Sequence, residues 1–253
     1  MKKYFNLALI IYLFSACSKN PENTLPASVE CINNSKGIAN LNQCEYSVGN
    51  FPLPYCDIQQ KSKYKLDESS KEYLPQYCQQ KGSKIKYKDD KGRTNIFTIL
   101  NKWFNQTSII ITQSICEKDS QKMIGYCYVI DIVFMTLESE TPKIRLNIEL
   151  TTYIEQGSNI NERYGDELKI ERQDSNNFYL VDFAAIVSKR TLSFEAFSNQ
   201  EFLPSIVLNG KNYMDVLSYD SHYIYPTFKF YYNKRSGLIA YKDKFGSIWT
   251  LEE

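Results

Sequence analysis

The segments MIGYCYVIDIVFMTL (123–137) and PKIRLNIELTTYIE (142–155) carry the clearest strand patterns of the chain, and the polar tetrapeptide ESET (138–141) joins them. Both segments are rich in β-branched and aromatic residues, which pack well on a pleated surface. Polar residues between two such runs are typical of a turn. The stretch predicts a hairpin of two long antiparallel strands and favours a mainly β protein.

The dipeptide Asn209-Gly210 gives the strongest short-range hairpin signal of the chain. A type I′ turn needs a positive φ at both central residues, and Asn and Gly tolerate this best. We therefore expect 204–208 and 211–219 to form a hairpin. The strand pattern begins near residue 84, and further strands are expected around Phe97 and at 107–117, 177–187, 224–233, 237–243 and 247–252. The predicted fold is an antiparallel β-sandwich or open barrel over residues 83–253, with a C-terminal meander.

Two predicted turns share one pattern, YKDDKG (87–92) and YKDKFG (241–246). An aspartate that opens the turn and a glycine that closes it suit a type I turn followed by a left-handed residue. The likeness has two explanations, either a duplicated β architecture or a common solution for a hairpin.

The charges of the chain are nearly balanced, with 30 lysines and arginines against 29 acids and a net charge of +1. This balance excludes a general nucleic-acid binder, which needs a large basic excess. Lys84, Lys86 and Lys88 alternate with apolar residues. We interpret them as one solvated face of a strand, at a sheet edge where lysines discourage pairing, rather than as a polyanion site.

The N-terminus has two lysines, the apolar run Phe5–Phe14 and then Ser15-Ala16-Cys17. The run is too short for a spanning helix, which needs about 20 apolar residues. The pattern resembles the signal peptide of bacterial lipoproteins. The resemblance implies that residues 1–16 are removed and that an acylated Cys17 anchors the protein in the membrane of the cell envelope. An ordinary secretory signal and a short anchor helix are the alternatives.

The polar segment SKNPENTLPASV (18–29) would then complete a lipidated tether, 17–29, between the membrane and the folded domain. Ser18, in place of an aspartate after the lipidated cysteine, favours the outer membrane under the same resemblance.

Six cysteines remain after Cys17, an even number that indicates disulfides in an exported protein. They are Cys31, Cys44, Cys56, Cys78, Cys116 and Cys127. Four of them fall in 30–82, which we interpret as a cysteine-rich irregular lobe with one short helix near 68–77. No metal site or cofactor is expected, because there is no C-x-x-C motif and His222 is the only histidine.

One disulfide can be argued from geometry. A hairpin centred between Gln121 and Lys122 would place Cys116 opposite Cys127, within bridging distance. The remaining four cysteines could pair locally, as Cys31 with Cys44 and Cys56 with Cys78.

Motifs for nucleophilic or metal catalysis are absent from the sequence, and Asp220-Ser221-His222 is interpreted as a polar turn. Asp131 and Asp182 are the candidate catalytic acids, because each shares a strand face with apolar residues and would have a raised pKa. An aspartate that faces outward or is satisfied by a hydrogen bond is the alternative. Glu149 shares its face with polar residues and is expected to be solvated.

Aromatic residues are crowded between positions 219 and 232. On a strand, Tyr223, Tyr225 and Tyr231 would share one face, and the opposite face, with Phe228 and Phe230, would belong to the core. The tyrosine face is a candidate binding surface, since tyrosine combines an apolar ring with a polar tip. Stabilisation of the sheet by cross-strand tyrosines is the alternative.

The C-terminal run YYNK (231–234) and GLIAYKD (237–243), with Gly246 and Trp249, resembles the ending of a group of uncharacterised bacterial envelope lipoproteins. The resemblance implies hairpin packing and transfers no active residue. We expect a membrane-anchored, non-enzymatic lipoprotein whose β domain binds an envelope protein or glycan. The alternatives are a carrier of lipid or another apolar ligand in a deep cavity, and a glycan or cell-wall hydrolase with a carboxylate pair.

Overall fold

The computed structural model describes residues 26–35, 55–140, 143–154, 163–173, 179–188, 190, 192, 200–219 and 228–252. These residues form twelve strands, two short α-helices and one 3-10 helix, so the protein is mainly β, as predicted. The helices are α1 (Ala27–Asn33) and α2 (Glu68–Lys71), and the 3-10 helix covers Pro75–Cys78. The strands are β1 (Tyr55–Tyr64), β2 (Lys84–Asp89), β3 (Thr94–Cys116), β4 (Asp119–Glu140), β5 (Lys143–Ile154), β6 (Tyr164–Gln173), β7 (Tyr179–Ser188), β8 (Gln200–Leu208), β9 (Lys211–Tyr219), β10 (Lys229–Asn233), β11 (Gly237–Lys242) and β12 (Ile248–Leu251).

Eleven strands lie in the order β7-β6-β5-β4-β3-β2-β12-β11-β10-β9-β8, and neighbours are antiparallel. β1 pairs in parallel with β4. The ends of the sheet approach each other at Gln200, whose Oε1 accepts from Ile186 N at 2.8 Å while its Nε2 donates to Ile186 O at 3.2 Å. The side-chain amide of Gln200 thus makes the two hydrogen bonds that the backbone of a neighbouring strand would make to Ile186. The sheet is a nearly closed antiparallel barrel.

The hairpins that the sequence predicts most strongly are confirmed. In the β4–β5 hairpin Glu140 lies opposite Lys143. In the β8–β9 hairpin Leu208 lies opposite Lys211, and the turn residues Asn209 and Gly210 have φ values of 47° and 76°. Both central residues are left-handed, as a type I′ turn requires. The strands from β8 to β12 form the predicted meander.

The two YKDxxG turns have the expected chemistry. Asp89 Oδ1 accepts from the backbone N–H of Lys91 and Arg93 at 3.1 and 2.7 Å. Asp243 Oδ1 accepts in the same way from Phe245 and Ser247 at 2.9 and 3.0 Å. Each turn closes on a left-handed glycine, with φ values of 80° and 86°. The side chain of each aspartate therefore satisfies backbone donors that the turn leaves unpaired.

The interior of the barrel is filled by apolar and aromatic side chains. Leu146, Ile148 and Leu150 of β5 alternate inward, as the strand period requires. Tyr87 and Tyr241 pack edge-to-face at its centre, with ring centroids 5.5 Å apart. Their hydroxyls are satisfied, because Tyr87 Oη donates to Leu238 O at 2.9 Å and Tyr241 Oη accepts from Asn95 Nδ2 at 2.7 Å.

The long β3–β4 hairpin differs in register from the prediction. Its turn lies at Glu117 and Lys118, because the polar residues 119–122 continue β4 instead of forming the turn. Cys116 therefore lies opposite Asp119, and Cys127 lies opposite Ile110. Both cysteines are disulfide-bonded, but the prediction that they are cross-strand neighbours is wrong.

The N-terminal lobe is held by a disulfide between Cys31 and Cys78, whose Cα atoms are 5.5 Å apart. The predicted local pairs with Cys44 and Cys56 are therefore wrong, because α1 packs beside the 3-10 helix and brings together positions 47 residues apart. The side chain of Cys56 and the whole of Cys44 lie outside the described residues, as do Cys17 and the predicted signal peptide.

Three further features of the secondary structure differ from the sequence prediction. The chain is already helical at Ala27 and buries Val29, within the predicted tether. Residues 55–64, expected to be irregular, form β1 beside β4. The strand β6 was not predicted, although Glu167, Lys169 and Glu171 alternate with Leu168 and Ile170.

Candidate functional site: a basic cleft between the lobe and the sheet

A cleft of about 740 Å³ lies where the 3-10 helix meets the ends of β2 and β12 and the β10–β11 turn. We call it the basic cleft. Its lining residues are Pro75, Gln76, Gln79, Lys84, Ile85, Lys86, Arg235, Ser236, Leu251 and Glu252. Three of these residues are cationic and one is acidic, so the lining carries a positive charge.

Lys84, Ile85 and Lys86 of β2 all line the cleft, and the period of the strand sets which of its side chains are exposed. Lys84, Lys86 and Lys88 are exposed, while Ile85 and Tyr87 are buried. The prediction of a solvated lysine face is confirmed, but the predicted edge position is wrong because β2 lies between β3 and β12. The neighbouring strands already protect β2 from unwanted pairing, so this explanation for the lysines does not apply.

Gln76 is fixed at the floor of the cleft by the β10–β11 turn. Its Nε2 donates to Ser236 O. The turn itself is held by Asn233 Oδ1, which accepts from Ser236 N at 2.8 Å. Gly237 follows with a φ of 72°, and a Cβ at this position would overlap the Gln76 amide. Only glycine therefore permits both the backbone conformation and the close approach of Gln76.

The carbonyl oxygen of Gln76 is a buried acceptor without a hydrogen-bond partner in the part of the chain that the structure describes. The residue is only 6 % exposed. A buried polar atom that lacks a partner costs about 1–3 kcal/mol. A rotation of the amide away from Gly237 and toward the cleft would let a ligand donor reach this oxygen and remove the cost.

The cations of the cleft are also available for a ligand. Among the described residues, no carboxylate lies within ion-pair distance of Lys84, Lys86 or Arg235. By contrast, the adjacent Lys234 pairs with Glu72 at 3.0 Å. An anion about 4 Å from one of these free cations gains ~1 kcal/mol in bulk water and ~4 kcal/mol at a typical protein surface.

A second cleft, of about 730 Å³, lies on the other side of the β10–β11 turn. Arg235 and Ser236 line both clefts. The second cleft also contains Lys211 and Lys234, together with the exposed side chain of Met214. Arg235 therefore stands between two concave surfaces that are both rich in cations.

The predicted catalytic acids lie elsewhere. Asp131 is buried, and its carboxylate accepts from Leu66 N at 3.2 Å and from Gln106 Nε2 at 2.8 Å. These bonds hold the segment after β1 against the sheet, which agrees with the hydrogen-bonded alternative for this residue. Asp182 belongs to β7, but its side chain lies outside the described residues.

The predicted tyrosine surface is wrong for Tyr231. This side chain is only 8 % exposed, because residues of the β8–β9 hairpin pack against it. Leu208 and Val216 of that hairpin belong to the same buried cluster as Tyr231. The opposite face belongs to the core, as predicted. Tyr223 and Tyr225 lie outside the described residues.

The sequence prediction missed an acidic patch on the outer face of β5 and β6. Glu167 is 8 % exposed, and burial raises its pKa to about 7. Glu149 is less solvated than the sequence predicted, because only 24 % of its side chain is exposed, and burial raises its pKa. Lys169 lies 3.8 Å from Glu149 and 3.9 Å from Glu171. The alternation of charged and apolar residues in β6 would have revealed the patch if that strand had been recognised.

Among the described residues, no helix is both long and apolar enough to cross a membrane. Comparisons with family models, with curated proteins and with solved structures find no match for this chain, so the interpretation of the basic cleft depends on its own geometry.

Proposed function

We propose that this protein is a lipid-anchored lipoprotein of the bacterial envelope and that its β domain is a non-enzymatic module that binds an anionic ligand in the basic cleft. The observation that carries the proposal is the buried carbonyl of Gln76, which has no hydrogen-bond partner among the described residues and lies beside Lys84, Lys86 and Arg235. A ligand with a carboxylate or phosphate and a neighbouring donor group would complement both features.

The side chains of the cleft suit different parts of such a ligand. The planar guanidinium of Arg235 can donate two parallel hydrogen bonds to a carboxylate or phosphate. Lys84 and Lys86 act as point charges on the flank. Gln76 Oε1 would accept from a hydroxyl or amide of the ligand. Because the cleft is open to solvent, we expect modest affinity and a strong dependence on ionic strength.

The position of the cleft is compatible with an anchor at Cys17. Helix α1 begins at Ala27, and the Cys31–Cys78 disulfide fixes it to the 3-10 helix that carries Gln76. The ten residues 17–26 span at most about 35 Å when fully extended. An acylated Cys17 would therefore hold the cleft-bearing end of the domain close to the membrane surface.

The ligand can be tested with two anionic probes, an oligogalacturonate for a glycan and a hexaglutamate peptide for a protein. Calorimetric titration at low and high ionic strength should show binding of one probe that weakens with salt. Arg235→Ala and Lys84→Ala should each weaken it about fivefold, or ~1 kcal/mol. Lys88→Ala is the matched control, because Lys88 shares the exposed face of β2 but lies outside the cleft lining.

The proposed binding site is refuted if neither probe binds, or if the cleft variants bind as well as Lys88→Ala does. The anchor needs a separate test, because it does not depend on the cleft. Mass analysis of the protein from bacterial membranes should find an acylated Cys17 as the first residue. Cys17→Ser should move the protein to the soluble fraction, and an intact leader in the wild-type product would contradict the proposal.

A further inference from the structure

A second surface, on the far side of the sheet from its core, combines aromatic and carboxylate groups in one row. Trp103 of β3 lies opposite Phe134 of β4, Phe134 lies opposite Glu149 of β5, and Glu149 lies opposite Lys169 of β6. Directly opposed residues in antiparallel strands point to the same face. With strands about 4.8 Å apart, the row is about 14 Å long.

The next row of the same face ends at Glu167, which lies opposite Thr151 of β5. We call these six residues, Trp103, Phe134, Glu149, Thr151, Glu167 and Lys169, the outer face. Exposure decreases along it, from 36 % at Trp103 to 8 % at Glu167. The face thus has an accessible aromatic end and a sheltered acidic end.

The aromatic end presents a stacked pair. The rings of Trp103 and Phe134 have centroids 5.0 Å apart and an interplanar angle of 17°. Phe134 holds the Trp103 ring in place from one side, and the ring is partly open to solvent. A rigid, partly exposed indole offers a flat apolar surface and costs little side-chain entropy when a ligand binds.

The acidic end has unused hydrogen-bonding capacity. Among the described residues, no group donates a hydrogen bond to the carboxyl of Glu167, although the residue is more than nine-tenths buried. Glu149 and Lys169 contact each other only at 3.8 Å. These groups therefore leave acceptors and an ammonium donor available at a separation that hydroxyl groups of a ligand could bridge.

We infer that the outer face binds an uncharged oligosaccharide, whose ring stacks on Trp103 and whose hydroxyls bond to Glu149, Lys169 and Glu167. An uncharged ligand fits best, because Lys169 offsets the adjacent carboxylates and a polyanion would be repelled by the remaining acids. Sugar hydroxyls both donate and accept, which matches the mixture of carboxylates and an ammonium. This site is separate from the basic cleft and does not depend on its proposed ligand.

Glu167 gives the site a pH dependence. The charged groups that act on its carboxyl are Lys169, Glu149 and Glu171. The residues directly opposite it, Thr151 of β5 and Ile186 of β7, do not titrate. A protonated Glu167 can donate as well as accept, and an ionised Glu167 can only accept. Affinity should therefore change between pH 6 and pH 8 in the wild type.

Binding should be measured by NMR titration with cellotetraose, maltotetraose and a tetramer of N-acetylglucosamine. At least one should bind, and Trp103→Ala should weaken that binding at least tenfold. Phe245→Ala is the matched control, because Phe245 is 81 % exposed on the β11–β12 turn, away from the outer face. Glu167→Gln should keep binding but lose most of its dependence on pH between pH 6 and pH 8, a result that unfolding alone would not produce.

Several outcomes would overturn the inference. They are the absence of binding for all three sugars at millimolar concentration, equal affinity of Trp103→Ala and the wild type, and Trp103-dependent binding of a pentalysine peptide in place of the sugars. Lys84→Ala should not affect sugar binding, so failure here leaves the proposal for the basic cleft intact.

Discussion

Replacing Glu167 by glutamine should stabilise the protein at alkaline pH and have almost no effect at acid pH. Burial on the outer face raises the pKa of this carboxyl from the ordinary 4.5 to about 7, Lys169 lowers it, and Glu149 and Glu171 raise it further. The folded protein therefore binds this proton more tightly than the unfolded chain does. Glutamine has nearly the shape of the protonated carboxyl and never ionises.

The magnitude follows from the two pKa values. Below pH 4.5 the carboxyl is protonated in both states, so its contribution is fully present. Above pH 4.5 the unfolded chain loses this proton while the folded protein still holds it, so stability falls until the folded carboxyl also ionises near pH 7. A shift of about 2.5 pKa units corresponds to about 3 kcal/mol at 1.36 kcal/mol per unit. In a protein of this size that difference is roughly 6–12 °C in Tm.

Urea unfolding, followed by tryptophan fluorescence, should compare the wild type and Glu167→Gln at pH 4.5 and pH 8. We expect equal stabilities at the lower pH and a more stable variant at the higher one. Glu140→Gln is a suitable control, because Glu140 is exposed at the end of β4. If the difference between wild type and Glu167→Gln is the same at both pH values, burial of an ionisable group does not explain it and the reasoning is refuted.

Two further substitutions test the scaffold. Gly237→Ala should destabilise the protein by about 3 kcal/mol in urea unfolding, because residue 237 has a positive φ and the new Cβ would overlap Gln76. Gly210→Ala is the control: residue 210 also has a positive φ but lies in open space, so this change should cost about 1 kcal/mol. Equal losses of stability in the two variants would contradict the role given to Gln76. Gln200→Ala should lower the free energy of unfolding by about 1–2 kcal/mol and accelerate hydrogen exchange at the Ile186 amide, because both hydrogen bonds between the ends of the sheet are lost. Unchanged exchange would show that other contacts hold the two ends together.

Local sequence chemistry predicted several of the turns and most of the strands of this fold. Asn209-Gly210 adopts the expected turn because few other residue pairs tolerate two consecutive left-handed conformations. The lysines of β2 are exposed because a strand turns alternate residues to opposite faces. Both signals are contained within a few residues, so no knowledge of the partners in space is needed.

Register and disulfide pairing required information that the local sequence does not contain. The β3–β4 turn could be placed at several polar residues between 117 and 122, and each position gives a different set of cross-strand neighbours. The local pairing of Cys31 failed because α1 packs on the 3-10 helix, a contact between elements far apart in the chain. Tyr231 is buried because Leu208 and Val216, from strands distant in sequence, pack in the same cluster.

The basic cleft shows why its residues could be predicted only in part. The exposure of Lys84 and Lys86 follows from the period of one strand, whereas Gln76 contacts Ser236 across 160 residues of sequence. Two surface lysines alone would be expected to be solvated and to contribute little to stability. The buried amide gives the surface a fixed acceptor beside those charges, and its position depends on a glycine at residue 237. The capacity of the cleft to discriminate among anions would thus come from a tertiary contact, while its attraction for them comes from local sequence.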